Sequence, residues 1–355
     1  MDLALPAGMT AGGAVTAFYG FVLIEAPLLA WSERVSARWF SAGSLAALAI
    51  ATIGAALAHG PISLAFCLAL YGPAAGCSLS VAEGVLVESA GASRERTMAR
   101  ITIAGALGDL AVPIVLGALA YAGLGWRAAF ALAGTALALL AITHAFSREL
   151  DRAIPSDEDE NEDDDEDPSL REALKVALRT RPLLAWSFAG VLVSLLDEVL
   201  VAFAAVHLAG LGATQRSIAL AAWIVGGLVG LAWLERRIDS LEPRRVLLVT
   251  SLVCAASIAL LASSTDPMLA SFSLASIGAS SCTFHPLVKA RAYASLPGRP
   301  ALVNAVAGAL VPLDALAPLV LGALALRFGP GAAVLALVVA PTGIGLAAWR
   351  SRRRQ

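Results

Sequence analysis

Five ionisable side chains stand inside stretches that are otherwise apolar: Glu83, Asp109, Asp197, His285 and Asp314. A carboxylate at the centre of a membrane helix costs about 3 kcal/mol, so each such group is a functional candidate. A carboxyl in low dielectric holds its proton more readily, and imidazole titrates near neutral pH. Such groups could load and release protons. The competing reading is structural, with the side chains bonded to backbone freed at nearby prolines. Glu25 and His207 extend the set. Asp197 and Glu198 lie ~100° apart on a regular helix, so only one of them can face an interior.

Two of the candidates belong to a repeat. Residues 109–120 and 314–325 are identical at eight of twelve positions, and the spacing Asp-x3-Pro-x3-Gly recurs as Asp109, Pro113, Gly117 and Asp314, Pro318, Gly322. Each copy places a carboxylate, a helix kink at Pro113 or Pro318, and a close-packing glycine in one apolar helix. One copy in each half of the chain implies an internal duplication, a common origin of folds that carry solutes across membranes.

The helices that must position these groups are legible from hydropathy. The chain has 355 residues, 58% of them apolar, with mean hydropathy +0.78. Eleven stretches are long enough to span a bilayer: 8–31, 39–58, 61–88, 101–123, 127–146, 183–208, 216–234, 245–263, 267–289, 302–326 and 329–349. The expected fold is an all-α integral membrane protein of two pseudo-symmetric bundles. Residues 1–150 hold five spans and residues 182–355 hold six. Between them, 151–181 form a linker containing ten acids in residues 157–167. That run should stay unstructured because it repels itself. Ser169 and Glu172 then read as a capping box opening a short basic surface helix.

Apart from the acidic run the count is 25 basic against 17 acidic residues. Alternate loops split the basic residues 22 to 3, the minority being Arg127, Arg216 and Arg327. By the positive-inside rule the rich side is cytoplasmic, which puts the linker and C-terminus inside and the N-terminus outside. The excess is an orientation signal and does not imply nucleic-acid binding. Cys67, Cys77, Cys254 and Cys282 lie in apolar segments without metal spacing and read as packing residues. Gly226, Gly227 and Gly230 read as a close-packing face. Nothing resembles a phosphate loop, a zinc motif or a nucleophile elbow, so no enzyme, cofactor or metal is expected.

Several motifs resemble those of the major facilitator superfamily. Glu33-Arg34-x-Ser36-x-Arg38 is similar to that family's loop Gly-x3-Asp-Arg-x-Gly-Arg-Arg between its second and third helices, with Leu29, Glu33 and Ser36 replacing Gly, Asp and Gly. Ser93-Arg94-Glu95-Arg96 resembles the loop before the fifth helix, and Gly125-Trp126-Arg127-Ala128-Ala129-Phe130 the opening of the sixth. Gly108 to Gly117 resembles the Gly-x3-Gly-Pro stretch of family antiporters, with Val112 in place of a Gly. The resemblance makes residues 8–31 equivalent to the family's second helix, so either a first helix lies upstream of the assigned start or the protein has eleven helices.

It implies a secondary active transporter of the cytoplasmic membrane, monomeric and proton-coupled, moving a small organic solute by alternating access. Efflux is the expected direction. Glu33, Arg34 and Arg38 would form a gating loop. The alternative is a transporter-like protein that no longer transports and serves as a sensor or paralogue. The topology is open to test: tags at residue 160 and at Gln355 should be reachable only after cells are permeabilised, and labelling of either from outside intact cells would overturn the orientation.

Overall fold

The structure is a computed structural model and describes residues 22–32, 35–90, 93–147, 175 and 177–351. Nearly all of these are helical, as expected. Two compact units emerge. The first gathers the described residues of 1–91, 107–180 and 296–312; the second gathers those of 92–106, 181–295 and 313–355.

The first unit contains α1 (Val22–Ser32), α2 (Ala37–Leu57), α3 (Pro61–Ala90) and α5 (Trp126–Phe146). It also holds the larger part of α4 (Arg94–Tyr121) and the start of α12 (Pro300–Phe328). α2 packs against α3 and α5, and α1 against α3. The buried residues of α2 include Ser41, Leu45, Leu48, Thr52 and Ala55, a stripe at helical spacing. Gly134 of α5 lets that helix sit close, since a Cβ there would lie 3.3 Å from the Ala49 carbonyl. Small residues at such crossings supply the packing that lipid cannot drive hydrophobically.

The second unit contains α6 (Arg181–Ser194), α7 (Leu200–His207), α8 (Ala213–Arg237), α9 (Pro243–Ser263), α10 (Pro267–Ser281), α11 (Phe284–Ala294), α13 (Pro330–Ala336) and α14 (Val339–Arg350). α9 packs against α10 and α14, repeating the pattern of α2 with α3 and α5. α10 is capped by Asp266, whose Oδ1 accepts from Leu269 N at 2.9 Å, with Pro267 opening the helix. α8 and α10 form the tightest crossing. A Cβ on Gly226 or Gly230 would collide with the carbonyls of Ala275 and Ala279, and one on Gly278 with that of Trp223. Gly226 and Gly230 therefore serve packing, as their sequence suggested; their counterpart Gly278 was not singled out.

Matching contacts bear out the duplication. Arg38 Nε in α2 donates to Ala145 O at the end of α5 at 2.6 Å, and Arg244 Nε in α9 donates to Ala348 O near the end of α14 at 3.1 Å. In each case a guanidinium meets a carbonyl near a helix end, and Ser351 Oγ also donates to Ala348 O at 2.7 Å. The turn after each repeat helix also uses a glycine at positive φ, Gly123 at 74° and Gly329 at 91°.

Three expected spans are not regular helices. In 183–208 a π-helical turn, Leu195–Val199, intervenes between α6 and α7. The stretch 267–289 divides at Cys282 and Thr283 into α10 and α11, and 329–349 divides at residues 337–338 into α13 and α14. The described residues hold seven helical runs long and apolar enough to cross a membrane, against eleven expected: 37–57, 62–90, 126–146, 181–207, 214–240, 243–263 and 330–350. Of the other four, 8–31 is described only from residue 22. The stretch 101–123 lies in α4, which opens with Arg94, Glu95 and Arg96. The turn at Cys282 interrupts 267–289. In α12 the apolar runs are Pro300–Leu310 and Leu316–Phe328.

The α8–α10 crossing yields a test. Gly→Ala inside a helix ordinarily stabilises by about 1 kcal/mol. Gly105, with nothing within 4 Å of its would-be Cβ, should follow that rule. Gly278→Ala should instead destabilise by roughly 1–3 kcal/mol through overpacking against backbone. Thermal unfolding in detergent separates the two variants, and equal melting temperatures would refute the crossing.

Candidate functional site

The five candidates occupy different environments. Glu83 lies on α3 and is only 2% exposed. Asp109 on α4 is exposed, and Asp314 on α12 is half-buried. They stand fifteen residues after Arg94 and fourteen after Pro300, where their helices begin. The two repeat carboxylates therefore sit about 22 and 21 Å along equivalent helices.

The Asp-x3-Pro spacing has a further consequence. Proline at position i removes the backbone donor that would serve the carbonyl at i−4. For Pro113 that carbonyl belongs to Asp109, and for Pro318 to Asp314. Each aspartate thus carries its carboxyl group four residues before a proline. An ionised carboxylate only accepts hydrogen bonds, whereas a protonated one can donate. α4 and α12 remain helical through positions 113 and 318, so a bend at either proline leaves its helix continuous.

Asp197 occupies the π-helical turn, with φ −103° and ψ −111°, and is exposed. The angular argument separating Asp197 from Glu198 assumed a regular α-helix, and this turn removes it. Two adjacent acids in an apolar stretch were the available signal. π-turns within helices occur frequently at functional sites.

His285 is the second residue of α11, directly after the Cys282–Thr283 turn, and is exposed. The turn is held by hydroxyls: Thr283 Oγ1 donates to Ser280 O at 2.7 Å and lies 3.3 Å from Thr250 Oγ1 of α9. Cys282 Sγ adds a 3.4 Å contact to Ala279 O. Thr250 and Thr283 were not among the expected site residues. Ser and Thr are ordinary in helices, and only the break shows what these hydroxyls do.

Of the expected gating loop, Glu33 and Arg34 lie outside the described residues, as do the acidic run and the Ser169–Glu172 capping box. Arg38 is described. Besides closing the end of α5, its guanidinium stands 4.8 Å from the Trp39 ring. Among the described residues no group of His, Cys, Asp and Glu is arranged to hold a metal ion.

Glu83 and Asp109 belong to the first unit, and Asp197, His285 and Asp314 to the second. A cavity of about 530 Å³ in the second unit is lined by His207, Ser263, Phe328 and Gly331 among others. None of the five candidates lines it. His207 Nε2 donates to Leu261 O at 3.0 Å and ties the end of α7 to that of α9.

Among solved structures, a variant of the E. coli fucose:proton symporter FucP matches with a TM-score of 0.79 at 16% identity, covering 98% of this chain and 91% of that one. The human organic anion transporter MFSD10 (TETRAN) matches at 0.70 and 16%, covering 95% and 83%. The proton:xylose symporter XylE, bound to 6-bromo-6-deoxy-D-glucose, matches at 0.71 and 14%, covering 97% and 85%. At these identities the likeness is one of fold. No curated protein sequence matches. The pattern of the Major Facilitator Superfamily matches residues 5–313, most of the chain, and the protein belongs to that family.

Proposed function

We propose that the protein is a proton-coupled secondary active transporter of a small organic solute in the cytoplasmic membrane. It acts as a monomer, with the linker and C-terminus inside. The bundles 1–150 and 182–355, joined by the linker 151–181, rock about a central passage in alternating access.

The observation that carries this reading is the exposure of Asp109, with its repeat partner Asp314 half-buried at the equivalent place. An exposed carboxyl in the middle of a membrane helix meets either lipid or water. The cost of the first, about 3 kcal/mol, favours a water-filled passage. A protonated carboxyl can donate where an ionised one only accepts, so proton loading changes the hydrogen bonding open to Asp109 and Asp314. Asp197 in its π-turn and His285 at its helix break extend the titratable set within the second bundle. Proton symport by FucP and XylE supports protons as the coupling ion. The direction proposed is efflux, from the antiporter-like stretch Gly108 to Gly117. Glu33, Arg34 and Arg38 are proposed as the gating loop.

Flux in liposomes, with and without a pH gradient at matched protein, tests coupling. Asp109→Asn or Asp314→Asn should abolish gradient-driven accumulation yet keep downhill exchange. Accumulation that survives neutralisation of Glu83, Asp109, Asp197, His285 and Asp314 in turn would remove the coupling assignment. Water access is tested separately. Asp109→Cys should react with a water-soluble maleimide at least about tenfold faster than Glu83→Cys, because the thiolate forms only in water. Equal rates would place Asp109 against lipid.

A further inference from the structure

The cavity in the second unit is untouched by the five candidates. It holds about 530 Å³, a volume within the range of small-molecule sites. Its walls are apolar or small, among them Ala259, Ala262, Phe328, Gly331 and Leu335. Phe328 is 63% exposed, so the cavity can be entered from outside the unit. Two polar side chains line it, Ser263 and His207. The Ser263 hydroxyl is already engaged, donating to Leu260 O at 2.8 Å.

The imidazole is engaged on one side only. A carbonyl only accepts, so Nε2, which meets Leu261 O at 3.0 Å, carries a hydrogen. In a neutral ring Nδ1 is then an acceptor. Among the described residues Nδ1 has no hydrogen-bond partner. It lies beside Gly331 of the cavity wall, where a Cβ would stand 3.5 Å away. A glycine at that place leaves room for both the ring and a ligand.

The surrounding charge is positive. Among the described residues no acid lines the cavity. The Arg327 guanidinium stands 5.3 Å from the Phe328 ring. α7 packs against α13, α8 and the π-turn. α13 carries no charge, and α9, which receives Nε2, carries none past Arg245. α8 brings Arg216 near its start. Asp197 and Glu198 of the π-turn precede His207 by ten and nine residues, about 15 Å along the helix. Asp266, just beyond Ser263 in the chain, is occupied in capping α10.

We propose that this cavity binds a monocarboxylic acid with an apolar tail. The tail lies along Ala259, Phe328 and Leu335, and the carboxyl meets His207 Nδ1. Carboxyl and imidazole share one proton: the acid donates to Nδ1, or the carboxylate accepts from the imidazolium Nδ1–H. At high pH neither free partner keeps that proton, so binding must take one up. Imidazoles titrate near pH ~6.5 and carboxylic acids near ~4, so binding is tightest between the two and weakens by about tenfold per pH unit above the higher value. The site stands whether or not the protein transports.

The test uses the purified full chain in lipid nanodiscs and radiolabelled octanoate, with empty nanodiscs measuring what the lipid takes up. Octanoate should bind saturably, and about tenfold or more tighter at about pH 5.5 than at about pH 8. His207→Gln keeps an N–H for Leu261 O but cannot titrate. It should weaken binding at the lower pH by about tenfold or more and flatten the pH profile. Ala259→Trp fills the cavity from an exposed position and should abolish binding without changing the melting temperature of the octanoate-free protein. Octyltrimethylammonium, with a like tail and a fixed positive charge, should not compete. No saturable binding overturns the proposal, as does a pH profile that His207→Gln leaves unaltered. Competition by the cation as strong as by unlabelled octanoate overturns the acid as ligand. Binding that survives Ala259→Trp in folded protein overturns the cavity as its place, and if that variant does not fold, the His207→Gln profile decides.

Discussion

Backbone groups in a hydrocarbon layer must find partners inside the protein. Much of this structure answers that requirement. Where a helix is regular the ladder suffices, and small residues such as Gly134, Gly226 and Gly278 bring neighbouring helices together. Where a helix ends, a side chain reaches across: Arg38 to Ala145 O, Arg244 to Ala348 O, Arg127 to Ala56 O. Where a helix breaks, hydroxyls step in, as Thr283 does beside Ser280 and Thr250. The candidate groups lie close to such departures. Asp197 is within the π-turn, His285 directly follows a turn, and Asp109 and Asp314 each stand four residues before a proline.

This explains what could be read from the sequence. Long apolar runs give helix existence and rough position, since few other structures tolerate lipid. The repeat was legible because Asp, Pro and Gly are uncommon at a fixed spacing in so apolar a chain. Helix continuity was not legible. Neither Leu195–Val199 nor residues 337–338 contain Gly or Pro, and no local preference marks them as interruptions. Gly278 was missed because one glycine in an apolar helix has many uses, and only its nearness to Trp223 O fixes this one. Asn304 was missed for a similar reason. It lies near the start of its helix, where a polar residue attracts no notice, and its partner is 224 positions away.

The burial of Glu83 was not legible. Glu83 and Asp109 read alike as ionisable side chains in apolar stretches, but the two differ sharply in surroundings, Glu83 being 2% exposed and Asp109 exposed. Hydropathy assigns a residue to a helix and gives its height. It does not give its direction around the axis when the helix is apolar on every side. α3 has no marked apolar stripe, because lipid, neighbouring helices and interior all accept small apolar residues. The direction of an ionisable group in such a helix becomes visible only from its neighbours.

The duplication preserved positions more faithfully than chemistry. At one end of the bundle the pairs are alike: Arg38 and Arg244 each hold a terminal carbonyl. At the other end they differ. Arg127, at the start of α5, donates to Ala56 O at the end of α2. The repeat offset of about 205 residues maps Ala56 onto Leu261 and Arg127 onto the neighbourhood of Gly331. Glycine has no side chain to offer, and the Leu261 carbonyl is met by His207 from α7. A Cβ on Gly331 would stand 3.3 Å from His207 Cε1, so the imidazole occupies the space an arginine stem would need. The first half thus closes this joint with a fixed charge from the adjoining helix. The second half closes it with a titratable ring from another helix, one that begins just beyond the π-turn holding Asp197. The requirement for a donor survived duplication, and the residue supplying it did not. That freedom lets two halves of one ancestor keep a common fold with different side chains at this joint.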